Sequence, residues 1–157
     1  MNSRFEVFLG IDPGWRGAIA GLQADGAVKI LEDCPSTPAE IGRFVCDFKA
    51  IALIEKVHPF YKSSAKSAFT FGENFGAWQA MLSHLQIPFE FITPRQWQKS
   101  IFDSAKKLEN TKRQSYDMAS RLFPDQELKT SRGKILDGRC DALLIAEVLR
   151  RRCLMIK

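Results

Sequence analysis

The chain has 157 residues, enough to bury one hydrophobic core without disulfides or structural metal. Lys and Arg outnumber Asp and Glu by 23 to 18 and the sequence pI is about 9.1, a balance that favours a polyanionic partner. No apolar run reaches the roughly 18 residues of a membrane span, the four cysteines form no CxxC pair, and neither His58 nor His84 sits in a nucleophile motif; this argues against a membrane protein, a zinc cluster and a Ser-His-Asp or Cys-His hydrolase.

Phe5 to Ile11 reads as a strand with Val7, Leu9 and Ile11 on one face. Gly17 to Gln23 and Ala27 to Leu31 flank an Ala-Asp-Gly turn at 24–26, which predicts a hairpin and three sequential antiparallel strands. Thr37, with Glu40 three residues on, makes a capping box for a helix ending near Phe48. Ala50 to Glu55 is apolar except for its last residue, the pattern of a central strand covered on both faces.

From Ser63 to Leu85, the residues Ala68, Phe71, Phe75, Trp78, Leu82 and Leu85 recur at helical spacing. Gly72 and Gly76 lie one turn apart in that helix, where each costs roughly 1 kcal/mol against alanine, so close approach of another backbone is expected there. Pro88 to Ile92 is a fifth strand, Pro94 opens a short helix through Trp97, and a further helix spans about Thr111 to Leu122. Asp125 to Lys134 is expected as a loop, and the last helix begins near Gly138 and runs to Arg150–Arg152. This order predicts an α/β domain over residues 1–157, a mixed five-stranded sheet with helices on both faces. Cys34, Cys46, Cys140 and Cys153 are expected as buried, reduced thiols of a soluble protein in a reducing compartment, with no targeting segment.

Four acids stand out. Asp12 follows the first strand in Gly10-Ile-Asp-Pro-Gly14, and Glu55 ends a run with no other polar residue, where an ionised carboxylate is expensive unless it is paired or bound to a cation. Asp137 precedes the last helix as an N-cap, and Asp141, four residues on, shares its side of the first turn. Each has a purely structural alternative: an Asp-Pro-Gly turn, a strand-end Glu reaching solvent, helix capping. Together, two acids at the ends of neighbouring strands and two at one helix start form an oxygen-only set suited to Mg²⁺ or Mn²⁺. Two such ions about 4 Å apart serve in-line phosphoryl displacement.

Gly10-Ile-Asp-Pro-Gly14, Gly17-Ala-Ile-Ala20, Ala52-Leu-Ile-Glu55 and Asp137-Gly-Arg-Cys-Asp-Ala-Leu-Leu-Ile-Ala146, in that order, closely resemble the RuvC family of Holliday junction resolvases. The resemblance implies a ribonuclease H-like fold, a homodimer, and four metal-binding carboxylates falling on Asp12, Glu55, Asp137 and Asp141. It implies metal-dependent hydrolysis at four-way DNA junctions by paired symmetric nicks, in the cytoplasm of a bacterial or phage-infected cell. Asp137 and Asp141 stand four apart, where bacterial members usually space these acids by three. That spacing, with Phe71-Gly-Glu-Asn-Phe-Gly-Ala-Trp78 and Ile92-Thr-Pro-Arg-Gln-Trp97, looks closer to the phage and chloroplast branches.

Phosphate contacts are expected from Lys56, Lys62, Lys66, Lys106, Lys107, Lys112, Arg113, Arg132 and Lys134, although each taken singly also reads as a solvated surface charge. Lys112 and Arg113 begin a helix, and one of them, Lys112 foremost, resembles the basic residue the family keeps near the scissile phosphate. Phe60 and Tyr61 follow Glu55 where the family places a loop reaching into the junction, and either stacks on a base or packs in the core. The Phe71, Phe75 and Trp78 stripe reads as core or dimer interface. Competing functions are a noncatalytic branched-DNA-binding module, a broader flap or fork nuclease, and an RNA–DNA hybrid nuclease. An actin-like nucleotide-binding protein needs two related domains, more than this length holds.

Overall fold

The computed structural model describes residues 4–35, 37–56, 64–102 and 111–155. Its strands are β1 (Val7–Asp12), β2 (Ala18–Leu22), β3 (Val28–Asp33), β4 (Ala50–Glu55) and β5 (Phe89–Ile92). Its helices are α1 (Pro38–Val45), α2 (Ala65–His84), α3 (Pro94–Ile101), α4 (Thr111–Leu122) and α5 (Asp137–Leu154). The sheet order is β3-β2-β1-β4-β5; β1, β2 and β3 pair antiparallel, and β4 and β5 join in parallel. This is the mixed five-stranded sheet expected from the sequence.

Alternation along the strands divides the core in two. Val7, Leu9, Ile11, Ala52 and Ile54 face Ile41 and Val45 of α1 and Trp78 and Leu82 of α2. Phe8, Leu22 and Leu53 face the opposite way, against Trp97 of α3, Ala119 of α4 and the α5 run Ala142 to Ala146. With helices on both sides, β4 can hold only apolar residues before its terminal acid. Trp78 and Trp97 are the largest fully buried side chains, each adding roughly 1.5–3 kcal/mol by leaving water.

Several expectations change. Among the described residues nothing lies within 4 Å of where a Cβ on Gly72 or Gly76 would stand, so no described backbone approaches them. The close approach occurs at Gly10 instead, where a Cβ would stand 2.2 Å from both the Ala142 carbonyl oxygen and the Ala146 nitrogen. Leu136, not Asp137, caps α5, because Asp137 already has helical backbone and its side chain turns to Lys112. Helix α1 ends at Val45, short of Phe48. Within the expected loop, Lys129 bridges Ile135 and Gly133 takes a positive φ of 79°, so part of it is a tight hairpin. Of the four thiols only Cys140 is buried; Cys46 and Cys153 lie on exposed faces and Cys34 is intermediate. Trp78 belongs to the core, whereas Phe71 and Phe75 are only partly covered.

Candidate active site

Ile11 of β1 lies opposite Ile54 of the parallel β4, so the next residues, Asp12 and Glu55, end adjacent strands side by side. Both share strand parity with Phe8 and Leu53 and therefore face α5. The start of α5 is held over the strand ends by two glycines. A Cβ on Gly138 would stand 2.1 Å from the Arg16 carbonyl oxygen, and one on Gly17 would stand 1.9 Å from that of Asp12. The β1–β2 turn and the first turn of α5 are thus in backbone contact, and the helix delivers Asp137 and Asp141 to the strand ends.

Burial and mutual repulsion set the charge state. Burial pushes the Asp12 carboxyl up to about 6; the Gly14 N–H, donating at 3.2 Å, opposes this and the Asp137 charge adds to it. Glu55 is pushed up to about 7, by burial first and then by Asp12, with the Trp97 indole N–H opposing at 2.7 Å. Asp141 also rises to about 7, chiefly through burial; a hydrogen bond with Ser115 opposes, while Asp12, Glu55 and Asp137 all raise it. One carboxyl therefore feels the other three.

The donor set fits a hard divalent cation. Asp141 Oδ1 is buried with no hydrogen-bond partner among the described residues, a state that costs roughly 1–3 kcal/mol unless something binds it. The nearby Cys34 and Cys140 thiols are both pushed up to about 12, chiefly by burial, and stay protonated, which disfavours thiolate ligation of a soft ion. Among the described residues no three acid, thiol or imidazole groups already close on one point at coordination spacing, so the fit rests on donor chemistry and on the unpartnered oxygen. Asp12, Glu55, Asp137 and Asp141 are the residues that would hold the ion.

The basic residues divide. Lys112 Nζ lies 2.5 Å from Asp137 Oδ2, at the mouth of the acid cluster. With Lys112 71% exposed, this pair places a cation there more than it stabilises the fold. Arg113 reaches along its own helix to Asp117 at 3.0 Å and lies beside the Tyr116 ring. Lys134 lines a cleft that also contains Asp137. Arg132 is exposed on the 129–135 hairpin, Lys66 is exposed in the first turn of α2, and Lys56 lies over the Phe91 ring at 5.5 Å. Phe60, Tyr61, Lys62, Lys106 and Lys107 lie outside the described residues.

Sequence reasoning passed over Trp97, Ser115, Arg139 and Trp15. Trp97 and Ser115 bond two of the acids, and Arg139 makes a two-pronged pair with Asp33 at 2.7 and 3.1 Å. Trp97 and Arg139 carried a signal, one as the final aromatic of Ile92-Thr-Pro-Arg-Gln-Trp97 and the other as the arginine of Asp137-Gly-Arg-Cys-Asp141.

Solved structures that share the fold over 95% of this chain include two of one protein. They are Thermus thermophilus RuvC in complex with a Holliday junction substrate (17% identity, TM-score 0.67, 94% of that chain) and Thermus thermophilus RuvC in a second structure (19%, 0.57, 95%). No protein-family model and no curated relative matches the sequence. At these identities the likeness is one of fold: the chain shares the ribonuclease H-like architecture of these two RuvC structures.

Proposed function

We propose that this chain is one nuclease domain, a divalent-metal endonuclease that cuts branched DNA, four-way junctions foremost, by water attack on the phosphodiester. The observation that carries this reading is the convergence of the buried Glu55 and the half-buried Asp12 and Asp141, carboxyls raised by burial and by neighbouring carboxylate charge, at the strand ends of a fold shared with junction resolvases. Asp12, Glu55, Asp137 and Asp141 hold Mg²⁺ or Mn²⁺, two ions per site in the full form of the proposal. Bound there, such ions supply an activated water and charge stabilisation for the leaving oxygen. Trp97 and Ser115 fix the rotamers of Glu55 and Asp141. Lys112, paired to Asp137 in the free protein, meets the incoming phosphate in this reading.

The proposed active form is a homodimer, because a four-way junction offers two strands related by a twofold axis and one chain carries one acid cluster. The exposed Phe69, the ring series Phe71–Phe75–Phe91 and the open Gly72 and Gly76 support α2 as its interface. Among the described residues no helix is long and apolar enough to cross a membrane.

Labelled four-way junction, fork, flap, linear duplex and RNA–DNA hybrid, each incubated with the protein and Mg²⁺ or Mn²⁺, test the reading. Paired nicks in the junction are expected. Binding without cleavage would replace it with a noncatalytic module, and preferential cutting of flaps or hybrid would replace it with a broader nuclease of the same fold.

A further inference from the structure

The β1–β2 turn carries a side chain that the fold does not use. Trp15 is 75% exposed, although burying an indole is among the largest apolar gains a residue offers. Its backbone is nevertheless rigidly placed. Asp12 Oδ1 accepts from Gly14, Gly17 donates to the Gly14 carbonyl at 2.8 Å, and Gly17 and Gly138 lock the turn onto α5. An aromatic side chain is thus held in water on a stiff mount that begins at Asp12.

Beside it lies a cleft of about 270 Å³, lined by Trp15 and Arg16 of this turn together with Asp33, Lys134, Asp137 and Arg139. Both acids in the cleft are already matched, Asp33 by Arg139 and Asp137 by Lys112. Among the described residues Arg16 and Lys134 have no ion-pair partner, so the free charge of the cleft is positive although the acid cluster adjoins it. An exposed indole flanked by unpaired cations is the arrangement that binds unstacked nucleotides: the ring takes the base face and the cations take the phosphates. The cleft is smaller than the roughly 300–1,000 Å³ of most small-molecule sites, as suits one nucleotide of a longer strand.

We propose that this cleft is a nucleotide subsite that receives the unstacked nucleotide next to the scissile phosphate, with Trp15 stacking on its base and Arg16 and Lys134 holding its phosphates. The proposal rests on the nuclease reading above and adds to it a residue that selects opened, branched DNA over continuous duplex, because a base inside a duplex stack has no free face to offer Trp15.

The test uses the full chain and a four-way junction carrying 2-aminopurine, in turn, at each position around the branch, with Ca²⁺ or chelator to block cleavage. The wild type should quench the probe at one position beside each cut site. Trp15→Ala should abolish that quench and weaken junction affinity about tenfold, the loss of one stacked base, while Trp15→Tyr restores both. Wild-type quenching and affinity in Trp15→Ala would overturn the subsite and leave the nuclease standing. Trp15-dependent quenching by a protein that never cuts in Mg²⁺ or Mn²⁺ would support the subsite and overturn the nuclease.

Discussion

The indole N–H of Trp97 donates to Glu55 Oε1 at 2.7 Å, joining residues 42 apart in the chain. Trp97 is fully buried, so this bond sets the Glu55 rotamer from inside the core rather than from solvent. Trp97→Phe keeps most of the packing and removes the donor. The Mg²⁺ concentration that half-saturates cleavage should then rise, and activity at low Mg²⁺ should fall, by roughly 10- to 100-fold, with junction affinity in chelator unchanged. A wild-type Mg²⁺ midpoint in this variant would reduce Trp97 to a packing residue.

Asp12→Asn, Glu55→Gln, Asp137→Asn and Asp141→Asn should each depress cleavage by orders of magnitude while junction binding survives, because metal ligands act on the transition state and affinity comes from phosphate contacts. Two of these changes should also stabilise the metal-free fold. Glu55→Gln and Asp141→Asn remove buried, mutually repelling charge, and each should raise unfolding free energy in chelator at pH 8 by roughly 1–3 kcal/mol, less than additively when combined. Full cleavage by any of the four would remove that residue from the site.

Stability should depend on pH in a direction set by the same carboxyls. Asp12, Glu55 and Asp141 bind protons more tightly folded than unfolded, so their contribution is present below the ordinary values of 3.8 to 4.5 and is lost as pH rises through about 6 to 7. Glu147 works in the opposite sense. Burial would raise its carboxyl, but hydrogen bonds from Arg150 and Arg151 outweigh that and hold it below the usual range, so its contribution is lost as pH falls. In chelator the melting temperature should therefore peak at mildly acidic pH and decline toward pH 8, and Mg²⁺ should recover more of it at pH 8 than at pH 5. A melting temperature that is insensitive to Mg²⁺ at pH 8 would count against cation binding by these acids.

The glycines make opposite predictions. Gly10→Ala drives a Cβ into backbone atoms of α5, which cannot swing aside, and should cost about 3 kcal/mol or more in chemical denaturation. Gly76→Ala meets nothing within 4 Å among the described residues and should stabilise an isolated protomer by roughly 1 kcal/mol. If α2 is the dimer interface, the same change should weaken the dimer, and light scattering should show twice the chain mass for the wild type and a smaller share of dimer for Gly76→Ala. A wild type that stays monomeric at every concentration tested would remove the homodimer.

Binding should also be steeply salt-dependent, with Lys112→Ala and Lys134→Ala each lowering the log–log slope by about one unit. Lys66→Ala, in the first turn of α2, provides a comparison across the surface. A slope unchanged by all three would place the phosphate path elsewhere.

What could be read directly from the chain was whatever local periodicity encodes. The wholly apolar Ala50–Ile54 announced a strand buried on both faces, the Ala-Asp-Gly turn announced a hairpin, and acids at segment ends announced a charged site. These are statements about near neighbours, and near neighbours suffice for them. Glycine shows the limit: Gly10 and Gly76 look alike in a sequence, and only the path of α5 across β1 distinguishes a residue that must lack a Cβ from one that has open space around it. The Trp97–Glu55 bond, the unpartnered Asp141 oxygen and the Arg139–Asp33 pair arise in the same way, between groups brought together only when helices pack on a sheet. A carboxyl's surroundings are set by chain crossings at long sequence separation, and no short window of residues contains them.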